Sequence, residues 1–340
     1  MMKLLAYGCF GLFTALLAVL TLPSHAHHAF AGVFDMDNLT ELEGEITRLM
    51  WRNPHVQFSV RTADGESWRV ETNSVSILSR MDVNPELLSE GDRVTVAGYS
   101  ARNGDNEMWT NNVLLADGRE VVTRPGVAPH WSEDHLGRSE VWLADGDTGG
   151  ADQGIFRVWS TRFNGPGRYM GLDEYPLTAA AAAAREAFDP LVDDPTGECT
   201  PKGMPAIMHQ PYPVAFTRDG DDILFLIEEY DLVRRIHMDP DVVDADVPPT
   251  LLGHSTGRWD GDVLVVDTHS IDWYHFNTTG IPQSSQARLQ ERFSLSGDGA
   301  NLDYTITVID PETFTEPVTM RKQWVWRAGE TVKPYGCTNY

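Results

Sequence analysis

The chain has 340 residues, of which 41% are hydrophobic and 10% aromatic, and 26 Lys+Arg stand against 50 Asp+Glu for a formal net charge of -24. This composition is that of a globular protein rather than a disordered one, and the length allows two domains with cores of their own. The acids are scattered along the chain, and the acidic balance argues against partners that need a basic patch, nucleic acid and anionic membrane surfaces among them.

The chain opens with Lys3, an uncharged apolar run from Leu4 to Leu22, and then Pro23, Ser24, His25 and Ala26. A positive start, an apolar core and a small-x-small pair describe a secretory signal, residues 1–26, with the cut between Ala26 and His27. The competing interpretation is an uncleaved anchor, since the run is nearly long enough to span a bilayer. After cleavage no membrane span is expected, and the mature protein belongs in the periplasm or outside the cell. Cys9 leaves with the signal. The remaining pair, Cys199 and Cys337, is expected to form a disulfide in that oxidising compartment.

Residues 27–122 read as a small OB-like barrel. Leu42–Ile46 and Val56–Val60 alternate as strands, Asp64-Gly65 turns the chain into Trp68–Glu71, and Ser74–Met81 has the apolar spacing of a short helix with Asn73 or Ser74 as its N-cap. Two further strands follow, in Gly91–Gly98 and Trp109–Leu115. Three strands, a helix and two strands is an OB-type order. Residues 123–152, rich in Gly, Pro, Asp and Ser, read as a linker. Residues 153–340 read as a larger antiparallel, lipocalin-like barrel. Its predicted strands are Gly154–Trp159, Ile223–Glu229, Val233–Met238, Asp262–Thr268, Ala287–Leu295, Leu302–Ile309 and Met320–Trp326. One short helix, Thr178–Phe188, interrupts them, and turns such as Asp219-Gly220 and Asp260-Gly261 separate several.

The start His27-His28-Ala29-Phe30, with Trp51-Arg52-Asn53-Pro54-His55 and the strand at Gly91-Asp92, resembles a family of exported bacterial proteins of unknown function that begin His-His-x-Phe and carry Asn-Pro-His. The resemblance covers about residues 27–122. Farther on, Gly253-His254-Ser255, Gly257–Asp262, Leu264–Thr268, Glu291-Arg292-Phe293 and Asp310-Pro311 are similar to strings in uncharacterised secreted bacterial proteins. Both resemblances imply secretion and this domain layout; neither implies a reaction.

Two sets of residues carry candidate chemistry. A terminal histidine binds metal through its amine and imidazole together, and another histidine completes a T-shaped nitrogen site suited to copper. His27 would supply two nitrogens and His28 or His55 the third. The structural alternative has His55 hydrogen-bonding inside the OB-like unit and His28 capping its first strand. The second set lies on the strands of the barrel. Period two puts Glu291 on the apolar face of Ala287–Leu295, Arg234 beside Ile236 and Met238, and Asp267 beside Val263 and Val265, whereas Glu228 and Glu229 follow a strand apolar on both faces. A buried carboxylate needs a partner or a raised pKa.

Glu291, Asp267 and Arg234 therefore either form a buried ion-pair network or line a cavity with His254 and Trp259. In the second case Glu291, Asp267 or His254 would act as general base, and Arg234, Glu228 and Trp259 would contact a small apolar or aromatic ligand. Zinc-protease, nucleophile-elbow, P-loop and dinucleotide signatures are missing from the sequence. Three functions stay open: small-molecule binding with or without acid/base chemistry in the barrel, copper binding at the mature N-terminus, and a structural or interaction role in the envelope.

Overall fold

A computed structural model describes residues 30–137, 153–162, 170–172, 174–190, 192–196, 199–239 and 247–338. The protein is mainly β, with a separate N-terminal sheet and a closed nine-stranded barrel in its C-terminal part. Among the described residues no helix is long and apolar enough to cross a membrane.

The N-terminal sheet follows a one-turn helix, α1 (Phe30–Val33), and is built on the long strand β1 (Phe34–Met50). β1 pairs antiparallel with β2 (Gln57–Arg61) along one stretch and with β4 (Arg93–Ala101) along another, with irregularities between Ile46 and Arg48 and between Phe34 and Leu39. Bulges of this kind bend a strand so that one sheet can curl. β3 (Ser67–Glu71) returns beside β2, β5 (Glu107–Leu115) lies beside β4, and β3 and β5 pair in parallel. The five strands thus close the ring β1-β2-β3-β5-β4-β1. Helix α2 (Val75–Arg80) sits between β3 and β4, its N-cap Ser74 accepting from the Ile77 N–H at 3.2 Å. The alternating strand residues Ile46, Phe58, Val60, Val70, Val94, Val96 and Val113 fill the ring together with Ile77 and Leu78 of α2.

The chain does not leave this sheet at residue 122. β6 (Glu120–Val122) and β7 (His135–Leu136) extend it, and the buried Glu120 carboxylate accepts the backbone N–H groups of His130, Trp131 and Ser132 and the Asn112 amide. Burial pushes Glu120 up, but these four donors outweigh it and the net shift is downward.

The barrel comprises β8 (Val158–Thr161), β9 (Val214–Asp219), β10 (Asp222–Ile227), β11 (Leu232–His237), β12 (His254–Asp260), β13 (Val263–His269), β14 (Arg288–Leu295), β15 (Asn301–Ile309) and β16 (Val318–Trp326). Neighbours in sequence are neighbours in space, and β16 closes on β8. A ring of nine strands cannot alternate direction all the way round, so an antiparallel barrel of this number must contain a parallel seam. It falls between β11 and β12 and is short, Ile236 against Ser255 and His237 against Thr256. The interior is packed with side chains. Phe216, Phe225, Phe293, Tyr304 and Trp324 touch ring to ring, with centroids 4.6 to 6.5 Å apart. Helix α3 (Ala179–Ala187) lies outside, its N-cap Thr178 accepting from the Ala181 N–H.

The C-terminal segment runs back to the N-terminal sheet. Tyr335 is buried in that sheet's core beside Tyr212, and Cys337 is bonded to Cys199. The disulfide expected from the cysteine count is therefore present.

Candidate functional site

The residues expected to act together in the barrel separate into three places. Arg234 and Glu291 do point inward, and they meet. The guanidinium Nη1 donates to Glu291 Oε1 at 3.0 Å and Nη2 donates to Oε2, while Nε donates to Ser255 Oγ at 2.9 Å and the Tyr304 hydroxyl donates to Glu291 Oε1 at 2.8 Å. Both partners are almost wholly shielded from solvent. Burial lowers the Arg234 pKa, but its pairing with Glu291 outweighs that and the net shift is upward. This is a saturated internal network of the structural kind.

Asp267 is not part of it. Leu264, Val266 and Thr268 are the inward residues of β13, so the face that Asp267 shares with Val263 and Val265 is the outer one. There its carboxylate accepts from Arg258 Nη1 at 2.6 Å. Strand β13 is apolar on both faces, and alternation alone does not say which face turns inward.

His254 lies at the β11–β12 seam, its ring between those of His237 and His269 at 5.0 and 5.5 Å, and Trp259 is 43% exposed against Phe156. His254 lines a cavity of about 350 Å³ with Arg234 and His237, and neither Glu291 nor Asp267 is among its lining residues. Glu228 is engaged by other parts of the chain. Its two oxygens take a bidentate pair from Arg80 of α2, at 2.6 and 2.7 Å, and the Lys333 N–H at 2.9 Å. Of the copper set, His27 and His28 lie outside the described residues. His55 is buried and its Nδ1 is paired with Glu71. Among the described residues no group of three or more His, Cys, Asp or Glu is arranged to hold a metal ion.

Another cavity, of about 400 Å³, lies between the N-terminal sheet and the barrel. Its N-terminal wall is His55, Asn73 and Ile77. Asn53-Pro54-His55 leads into β2 by a cis peptide bond. Within it Asn53 donates its side-chain amide to the Tyr335 carbonyl, and His55 meets Glu71, whose other oxygen accepts from Gln57 Nε2 at 3.2 Å. A carboxylate on Nδ1 fixes the ring's orientation and favours the tautomer with the proton on that nitrogen. The edge of the Trp109 ring packs against the imidazole at 5.1 Å.

The opposite wall comes from the segment 202–212, which crosses the barrel core. Met204, Ile207 and Met208 pack into that core, and the turn Ala206–His209 carries His209 to the cavity. Gly203 lies so close to Trp273 that a Cβ there would fall 2.4 Å from the Trp273 Cβ. Lys202 Nζ is 2.8 Å from Glu229 Oε1, both residues buried. Glu228 and Glu229 part company because the backbone turns sharply after them. Tyr230 and Asp231 both have left-handed φ, 60° and 55°, uncommon for non-glycine residues and strained for a bulky one. The Asp231 carboxylate, accepting the Tyr335 and Gly336 N–H groups at 2.8 and 3.2 Å, holds that turn.

Behind this wall Lys322 of β16 donates to the carbonyls of Met208 and Gln210 at 3.1 and 2.6 Å. Burial lowers its pKa to about 7, with Glu229 opposing the shift and Lys202 adding to it. His209 is lowered to about 3 by burial and then by Lys322 and Lys202. Tyr212, on the same wall, is raised, chiefly by burial. Two buried polar atoms here have no hydrogen-bonding partner, His209 Nε2 and Glu229 Oε2. Buried polar atoms are ordinarily satisfied, and leaving one unmet costs about 1–3 kcal/mol. Lys202, His209 and Tyr212 carry no periodic signal in the sequence because their segment has no strand or helix period, whereas Lys322 lies on a predicted strand and shares a face with Met320 and Trp324. The one signal was the density of His, Tyr, Gln and Pro between Pro201 and Pro213.

The fold and this site define a β-barrel protein with a polar cleft between its two parts. Residues 15–109 match the profile of DUF6152, described as a family of unknown function. The match ends inside β5 and includes the Asn-Pro-His string but none of the barrel. Comparison with curated proteins gives no match.

Proposed function

We propose that this is an exported small-molecule-binding protein whose ligand sits in the cleft between an OB-like N-terminal unit and the barrel. Export is supported by the signal-like first 26 residues and by the Cys199–Cys337 bond, which suits an oxidising compartment. The observation that carries the binding role is the pair of unpartnered buried atoms, His209 Nε2 and Glu229 Oε2, on the wall of one cavity. A cavity of about 400 Å³ falls in the size range of small-molecule sites.

Binding is favoured over proton transfer by this wall. A histidine held near 3 is a poor base at neutral pH, and Lys322, though near 7, is committed to two carbonyls. The barrel interior is the weaker location, because its buried charged pair, Arg234 and Glu291, is already satisfied and its aromatic rings are in contact.

The test is a screen of polar fragments against the mature protein by protein-observed NMR, repeated on His209→Phe and Thr278→Trp, which would fill the cavity from its two sides. Hits are expected to be lost in both variants. Hits that persist in both, or that shift resonances of the barrel interior alone, would place the ligand elsewhere.

A further inference from the structure

We infer that the ligand of the cleft is a small carboxylate that also carries a hydroxyl or similar donor; this rests on the cleft being the binding site. The inference begins from a count of buried charge. Lys202 and Lys322 are 5% and 3% exposed, and Glu229 is the carboxylate that faces them. Lys202 pairs with Glu229, while Lys322 is bonded to neutral carbonyls, so with both ammonium groups charged the described residues of this wall hold one positive charge in excess.

Among the described residues the neighbouring acids have partners of their own, with one buried oxygen, Asp194 Oδ2, left without a partner. Glu71 is tied to His55 and Gln57, and Glu228 to Arg80. Asp194 accepts from Thr196 and acts, as Asp193 does, on His275, and on Tyr230 as well. Among the described residues lining the cavity, Glu229 is the one carboxylate, and the exposed Arg185 of α3 adds a second cation to the wall beside Lys202. In a chain of net charge -24 this is a local reversal of sign.

A buried positive charge without a counter-ion is costly, and a monoanion offsets it. A cation would be repelled. An apolar ligand would leave His209 Nε2 and Glu229 Oε2 unmet. Glu229 Oε2 accepts only, so the ligand must bring a donor as well as its charge. Carboxylate and hydroxyl together answer both requirements.

The experiment is calorimetric titration of the mature protein with 4-hydroxybenzoate, 4-hydroxybenzamide and acetate, in two buffers of different ionisation enthalpy. The hydroxybenzoate is expected to bind about tenfold or more tighter than the neutral amide, which is about 1.4 kcal/mol. Its binding above pH 7 should take up a proton, because an anion favours the ammonium form of Lys322. Lys322→Met should abolish the uptake. Arg185→Gln, at an exposed position, should weaken binding at low salt without touching the fold. Equal affinity for acid and amide, with both lost in Thr278→Trp, overturns the anion inference and leaves the cleft standing. Affinity unchanged in Thr278→Trp overturns the cleft itself. Failure of acetate and hydroxybenzoate alike to bind at millimolar concentration also overturns the inference.

Discussion

Arg234 and Glu291 face each other inside the barrel with three hydroxyl groups around them, those of Ser255, Thr268 and Tyr304, and their energetic role follows from burial rather than from attraction. Breaking one half of a buried pair costs about 3–5 kcal/mol because the other charge is left unpaired, whereas replacing both by apolar groups costs far less. Glu291→Gln or Arg234→Met is therefore expected to lower stability by about that amount in urea unfolding, and the double variant Arg234→Met/Glu291→Leu to lose less than the sum of the singles. His209 and Lys322 set a pH dependence. The unfolded His209 takes up a proton as pH falls through 6.5 and the folded one only near 3, so stability is lost on acidification across that window. Lys322 releases its proton near 7 when folded and near 10.5 when unfolded, so stability rises with pH between those values. Unfolding free energies measured from pH 4 to 9 are expected to show both slopes, the acid one flattened in His209→Gln and the alkaline one in Lys322→Met.

At the scale of elements, the segment 202–212 is a wall built without regular periodicity, and its position depends on close approach. Gly203→Ala forces the chain away from Trp273 and is expected to displace Lys202 from Glu229. It should cost about 1–3 kcal/mol by overpacking and weaken fragment binding, a joint loss that denaturation and NMR titration would both register. Helices α2 and α3 were legible from their caps and apolar spacing, because Ser74 and Thr178 satisfy the first N–H groups locally. Strands β10, β11 and β13 to β16 were legible from alternation or apolar runs between turn residues. Strand β12, His254-Ser255-Thr256-Gly257-Arg258-Trp259-Asp260, was not. Its Ser, Thr and Gly read as turn, yet it is a strand because β13 pairs with it along its whole length. Gly257 is needed there, since a Cβ would lie 2.6 Å from Met238 Sδ.

The two parts of the molecule are joined by groups that neither part explains alone. Arg80 of α2 reaches Glu228 at the end of β10 and Glu330 beyond β16, and Tyr335 inserts into the N-terminal core near the Cys199–Cys337 bond. That bond spans 138 residues of chain, a loop long enough for a chain-entropy contribution of about 2–5 kcal/mol. Cys199→Ser/Cys337→Ser is expected to lower the unfolding free energy by that amount in urea denaturation. It should also loosen the tail before the barrel, read as faster hydrogen exchange at Tyr335 and Gly336 than in β14 or β15.

From its own residues the chain determined that it is a β protein, where helices α2 and α3 begin, which cysteines can pair, and that Arg234 and Glu291 lie on apolar faces. Each of these rests on a period, a cap or a count that is local in sequence. Tertiary structure alone decided that Asp267 faces out, that Glu228 and Glu229 go to different partners, and that His55, Lys202 and His209 gather at one cleft with Lys322 behind its wall. Those four residues are as much as 267 positions apart, and what brings them together is the closing of a ring of nine strands against a separate sheet. No local pattern encodes that contact.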